Sequence, residues 1–185
     1  MTSPAPIEPR PNLPLASDSL PWVEYGDCAR FGDRTIPLGD HGGCTQVGFN
    51  LVELPPGKQS CPFHWHMKEE EHFYVLSGRC VLRSGEDRFE MGPGDYVCFP
   101  AGSEVGHATL NPFDEPCRML VVGTRSPDEV CVYPDSGKAM VRALGRHLMP
   151  WPQASLTYLH GEPADLPVRA DEAPARPRRT TRPTG

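Results

Sequence analysis

From Val47 to Val122 the chain is cut into runs of four to seven residues rich in apolar side chains. Nearly every cut falls at a glycine, a proline or a cluster of charges. Runs so short are strand-sized, not helix-sized. They predict strands over 47–53, 63–66, 71–77, 80–83, 88–91, 96–99, 107–110 and 118–122. Pro55-Pro56-Gly57, Ser84-Gly85-Glu86-Asp87 and Gly92-Pro93-Gly94-Asp95 supply the turns, with glycines free to take positive φ. One stretch, 137–148, carries Met140, Val141, Leu144 and Leu148 at helical spacing and is equally readable as a strand plus loop. Many short strands with regular turns point to an all-β sandwich or barrel.

Chemistry concentrates where two of these runs meet. His64 and His66 are separated by one residue. On a strand they project to the same face, roughly 6–7 Å apart, with Trp65 on the other face. Met67-Lys68-Glu69-Glu70 is a polar connection, and Glu71 opens the next strand. There Glu71, Phe73 and Val75 share one face and His72, Tyr74 and Leu76 share the other. Both faces are apolar after Glu71, which suits a strand buried on two sides. A carboxylate at the mouth of such a strand costs several kcal/mol to bury unless a cation or hydrogen bonds compensate. A later segment, from Gly94 to Asn111, adds His107. Three imidazoles and a carboxylate are a donor set for one divalent transition metal: Fe, Mn, Zn or Ni. Without cysteine, such a set leaves room for open coordination positions, as catalytic sites do.

The pattern resembles the cupin superfamily. Gly57, His64, His66, Glu71 and Gly78 follow its first motif with one extra residue before His64. Gly94, Pro100, Gly102, His107 and Asn111 follow its second with two extra residues before His107. The resemblance implies a double-stranded β-helix, a jelly-roll barrel, with His64, His66, Glu71 and His107 as metal ligands. Of three adjacent glutamates, Glu71 is chosen because six residues separate it from Gly78; Glu69 and Glu70 read as a solvated loop. Asn111 is a weaker candidate for a group hydrogen-bonded around the site. Gln46 and Asn50 share a strand face that can orient a substrate. Tyr25, Tyr96 and Tyr133 act only if they reach the metal, and Cys61, three residues before His64, reads as a structural residue near the mouth. The resemblance also implies a homodimer.

The rest of the chain sets boundaries. Of 23 prolines, six fall in residues 1–21 and seven in 150–185, leaving ten for the 128 residues between. This predicts an extended N-terminal tail (1–21), a barrel domain (22–149), a strap carrying Trp151, Leu156, Tyr158 and Leu159 (150–167), and a disordered Pro- and Arg-rich tail (168–185). A net charge of −6 argues against nonspecific nucleic-acid binding. No apolar run approaches ~20 residues, and the N-terminus lacks the apolar core of a secretory signal. A cytoplasmic protein with seven reduced cysteines is therefore expected. The expected function is that of a metal-dependent enzyme (dioxygenase, lyase or isomerase) on a small polar substrate. The alternative is a non-catalytic small-ligand-binding or sensory protein.

Overall fold

A computed structural model describes residues 7–26 and 28–151. The strap of 150–167 and the tail of 168–185 lie, beyond Trp151, outside the described residues. Thirteen strands run in order: β1 (Val23–Tyr25), β2 (Asp33–Ile36), β3 (Val47–Leu54), β4 (Trp65–His66), β5 (Glu71–Ser77), β6 (Cys80–Ser84), β7 (Asp87–Met91), β8 (Tyr96–Phe99), β9 (His107–Leu110), β10 (Cys117–Thr124), β11 (Val130–Tyr133), β12 (Lys138–Val141) and β13 (His147–Pro150). One short helix, α1 (Leu38–Gly42), interrupts them between β2 and β3. Among the described residues no helix is long and apolar enough to cross a membrane. No disulfide joins any of the seven cysteines.

The strands form one large wall and two small ones. The large sheet has the order β1-β2-β3-β10-β5-β8; the small ones are β13-β12-β11-β4 and β7-β6-β9. A single antiparallel bridge between His64 and His107 ties the small sheets together. Each residue's N–H donates to the other's carbonyl, at 3.1 and 2.7 Å. Between the walls lies the core, built from Val52, Leu54, Phe73, Val75, Cys80, Leu82, Met91, Phe99, Cys117 and Met119. Residues two apart on β3, β5, β6 and β10 supply most of it, with Met91 of β7 and Phe99 of β8 completing it. Trp65 faces away from its two histidine neighbours and packs with Val132 and Ala139, against which Trp151 also rests.

One sequence expectation changes here, and one open reading is decided. Strand β5 is buried on one side only: Phe73 and Val75 are 5% and 1% exposed, while Tyr74 and Leu76 are each 43% exposed. The outer face of the large sheet is apolar nonetheless. Phe49 pairs with Val122, and Leu51 with Leu120; Tyr74 stands beside Tyr96. The open reading concerns 137–148, where strand plus loop holds and the helix does not. The stretch forms β12, one 3-10 turn (Arg142–Leu144) and β13. Gly145 and Arg146 take left-handed backbone angles (φ 73° and 60°), which stop a helix from propagating.

Glycine is required at two places that brace the site. At Gly78 φ is 71°, and a Cβ would lie 2.1 Å from the Pro116 carbonyl oxygen, so the β5–β6 turn closes only without a side chain. At Gly106 the limit is space. A Cβ there would sit 2.4 Å from the Phe63 ring. Phe63 in turn lies 3.6 Å beneath the guanidinium of Arg83, which hydrogen-bonds to Asp135 at 2.6 and 3.0 Å.

Candidate metal centre

The fold brings His64, His66, Glu71 and His107 together. One donor atom from each lies within 4.8 Å of every other. Three local devices achieve this. The bridge to His107 fixes the backbone of His64, and the pairing of β4 with β11 fixes His66 opposite Cys131. The third device is the start of β5, where Glu71 stands opposite Gly123 of β10 and Phe99 of β8. The His107 ring is stacked on Phe99 with centroids 3.7 Å apart and planes 10° from parallel. It is 1% exposed and has no rotational freedom to spare.

The nitrogen geometry decides what the cluster can hold. His64 Nδ1 lies 2.9 Å from the Pro62 carbonyl, and His66 Nδ1 lies 3.2 Å from the Glu129 carboxylate. A carbonyl and a carboxylate only accept, so both imidazoles carry their proton on Nδ1. In the neutral rings Nε2 is then the bare nitrogen, and the two Nε2 atoms face each other at 3.1 Å. Two lone pairs at that distance repel unless a proton or a cation lies between them. Glu71 Oε2 completes the ring, 2.8 Å from His107 Nε2 and 3.7 Å from His66 Nε2. The donor set and its convergence fit one divalent cation. His107 Nδ1 is buried with no partner.

Electrostatics follow from burial and proximity. Burial pushes the His64 imidazolium down to about 4, helped by the positive charges of His107 and His66 and opposed by Glu71. His66 moves the other way: burial lowers it, but hydrogen bonds and charge from Glu71 and Glu129 outweigh that and leave it raised. Burial would raise Glu71, yet hydrogen bonds from His107 and His66 hold it well below the usual carboxylate range. Cys61 Sγ is 3.5 Å from His64 Nδ1. Its burial pushes the thiol up to about 12, far from the thiolate a metal ligand must be.

Other sequence candidates are placed as follows. Asn50 lines a cavity of about 260 Å³ together with Glu71, Asp33, Thr35, Ser60 and Thr109. Gln46 is exposed in the bend just before β3; contrary to expectation it does not share the strand face of Asn50, and it does not line the cavity. Asn111 serves the fold rather than the site. Its amide donates to the carbonyls of Leu54 and Glu115 (2.9 and 2.8 Å) and accepts from Phe113 N–H, which clips the turn before β10. Tyr25 reaches the cavity wall, Tyr133 brings its ring within 5.9 Å of the His64 ring, and Tyr96 instead pairs with His72 on the outer face at 2.8 Å. Two larger surface clefts, of about 460 and 510 Å³, contain none of the four clustered residues.

Glu69 is not the solvated loop residue expected. It is 6% exposed, ion-paired with Arg142 and hydrogen-bonded by Ser126 N–H at 2.6 Å. Glu70 is exposed, as expected. Glu129 was not anticipated at all. It is 0% exposed and touches His66 from a loop 63 residues away in sequence. No local spacing announces it; the one sequence signal is an acidic residue immediately preceding the apolar run that becomes β11.

Comparison with known proteins supports the barrel and its lineage. The Cupin domain family model matches residues 50–123. A sugar phosphate isomerase from a cupin superfamily, from Silicibacter pomeroyi, is 35% identical and superposes with a TM-score of 0.70 over 79% of this chain and 98% of its own. The chain belongs to the cupin superfamily. A second cupin-region relative is the dimethylsulfoniopropionate lyase DddQ of Ruegeria pomeroyi, 34% identical over 87 residues. That match takes in 46% of this chain, which spans about two fifths (41%) of the lyase. The polyketide cyclase RemF of Streptomyces resistomycificus shares the fold alone, at 22% identity and a TM-score of 0.53 over 60% of this chain and 78% of its own.

Proposed function

We propose that this cupin is a metal-dependent enzyme acting on a small polar molecule, with His64, His66, Glu71 and His107 as the ligands. The observation that carries the reading is the convergence of two histidine Nε2 atoms, 3.1 Å apart, within a four-donor cluster. A divalent ion bound there supplies a Lewis acid beside the cavity. The cavity's volume suits a molecule of modest size. Its wall combines the hydroxyls of Ser60, Thr109 and Thr35 and the amide of Asn50 with apolar Val52, Phe73 and Met119.

Cavity charge narrows the substrate. Among the described residues that line it there is no lysine or arginine, while two carboxylates, Asp33 and Glu71, are present. A phosphate would need cationic partners there. We therefore read the substrate as non-phosphorylated, which departs from the activity named for the isomerase relative. The names of two relatives above 30% identity, an isomerase and a lyase, favour reaction classes that begin with removal of a proton from carbon. Asp33 is the lining carboxylate that a metal bound by the other four would leave free. Burial raises its carboxyl group, against the hydrogen bond from Thr35, in the direction a proton-transfer group requires.

The test is a metal-and-turnover experiment. Purified protein is analysed for bound metal, stripped with a chelator and reloaded with Fe, Mn, Zn or Ni in turn. Each form is then assayed on hydroxy acids, sugars, phosphorylated sugars and dimethylsulfoniopropionate. The expected outcome is one metal per chain, turnover restored by reloading, and loss of kcat without loss of metal in Asp33→Asn. A protein that binds none of these ions overturns the reading; binding of a compound without turnover turns it into the ligand-binding alternative.

A further inference from the structure

The deepest charged side chain of the described residues is Glu129, at 0% exposure. A buried carboxylate is expensive unless several donors meet it. Three do. Oε1 accepts from Met67 N–H at 3.1 Å and faces His66 Nδ1 at 3.2 Å, and Oε2 accepts from Lys68 N–H at 3.0 Å. Glu129 immediately precedes β11, whose residues Cys131 and Val132 pair with His66 and Trp65. Strand pairing therefore brings the carboxylate over the His66 ring, and two backbone donors on different oxygens prevent it from turning.

A second carboxylate competes for the same nitrogen. Glu69 Oε2 is 4.0 Å from His66 Nδ1. Its oxygens are already engaged by both terminal nitrogens of Arg142 and by Ser126 N–H. Nor do His66, Glu69 and Glu129, which cluster within 4.8 Å, make a second ion site. Arginine and main-chain N–H groups occupy the lone pairs an ion would need. Glu129 is left as the acceptor for the Nδ1 proton.

We infer that Glu129 is a positioning residue: it holds His66 in the tautomer and ring orientation that present Nε2 to the cation, and Glu69 does not. The inference rests on the metal reading given above. Carboxylate partners of ligating imidazoles typically change metal affinity by about 10–100-fold when removed. In Glu129→Gln the amide NH2 must oppose either Lys68 N–H or the donors on the other side, so His66 faces a neutral amide oxygen in place of a carboxylate, held by one backbone donor fewer, or faces the NH2.

Two measurements test it. The first is the affinity for Mn²⁺ or Zn²⁺ alone, by chelator competition, in wild type, Glu129→Gln and Glu69→Gln. A loss of about 10–100-fold is expected in Glu129→Gln, and a change under about threefold in Glu69→Gln. Equal affinities for wild type and Glu129→Gln in a folded variant overturn the inference and leave the metal reading intact. The second uses only metal-free wild type and is indifferent to whether a variant folds. Long-range ¹H–¹⁵N spectra at about pH 9 should show His66 with its proton on Nδ1; a proton on Nε2 overturns the inference. If wild type binds no metal, the functional reading falls, and the His66 tautomer still judges Glu129.

Discussion

On the Nε2 side of His66 lie His64, Glu71 and His107; on its Nδ1 side lie Glu69, Glu129 and Arg142. The first cluster holds three imidazoles and one carboxylate, and the second sets two carboxylates against a guanidinium. In the second, every carboxylate oxygen meets a donor: Ser126 N–H and Arg142 on Glu69, Met67 N–H, Lys68 N–H and His66 on Glu129. In the first, two acceptors confront each other across 3.1 Å. A cluster whose carboxylate oxygens all meet donors is scaffold, because no acceptor there is left for a cation to satisfy; its one buried atom without a partner among the described residues is a donor, Arg142 Nε. A cluster of opposed lone pairs is a site, because an added cation improves it. The difference lies in what faces each acceptor: donors in one cluster, another acceptor in the other.

The largest expected effect separates the two clusters outright. His107→Ala or His64→Ala should weaken Mn²⁺ or Zn²⁺ binding by more than about 100-fold, beyond the cost of losing a supporting partner, measured by elemental analysis after gel filtration. Arg142→Met should instead act on stability. It strands Glu69, whose side chain is 8% exposed. Allowing for the partial exposure of the arginine, it should cost about 2–3 kcal/mol, read by urea denaturation, with metal content unchanged. Adding Glu69→Gln to that variant should recover most of the loss.

A subtler test uses pH. His66 is raised above its ordinary 6.5, so in the metal-free protein it is protonated below that raised value, and an incoming ion must displace the proton. Metal affinity should therefore fall about tenfold per pH unit as pH drops below the raised value, and level off above it. Folding stability of the metal-free chain has the opposite sign. The contribution from His66 is fully present below the unfolded value and is lost as pH rises through the folded one. Titrating metal binding and urea stability on the same preparation checks both slopes. The smallest effect is expected at Glu70, which is exposed: Glu70→Ala should change stability by less than about 0.5 kcal/mol and metal content not at all.

What the sequence disclosed followed from interaction range. Strands β5, β8 and β9 begin and end where alternation and turn residues place them, because both signals are local. The four-residue cluster was legible because His64, His66 and Glu71 lie within eight residues and His107 closes a second motif. The scaffold cluster was not legible. Glu69 finds Arg142 73 residues away, and His66 finds Glu129 at 63. Neither distance leaves a pattern in one chain. The outer face misled for a different reason: Tyr74 and Leu76 look like core residues by composition, and only the topology shows that no described layer lies over them. At 140–148 the apolar spacing satisfied two periods at once, and backbone angles at Gly145 and Arg146 chose between them.

The loop that leads into His107 is longer than the family pattern by two residues, and positions 101–105 are all exposed. Gly106, the next residue, is buried against the Phe63 ring with no space for a methyl group. Insertion and substitution thus obey separate rules within six positions. Added length can bulge into solvent without disturbing the strand, whereas the last link before the imidazole is confined by an aromatic wall. In this chain the doorway to the imidazole is held to an achiral residue, while the stretch before it lies in solvent.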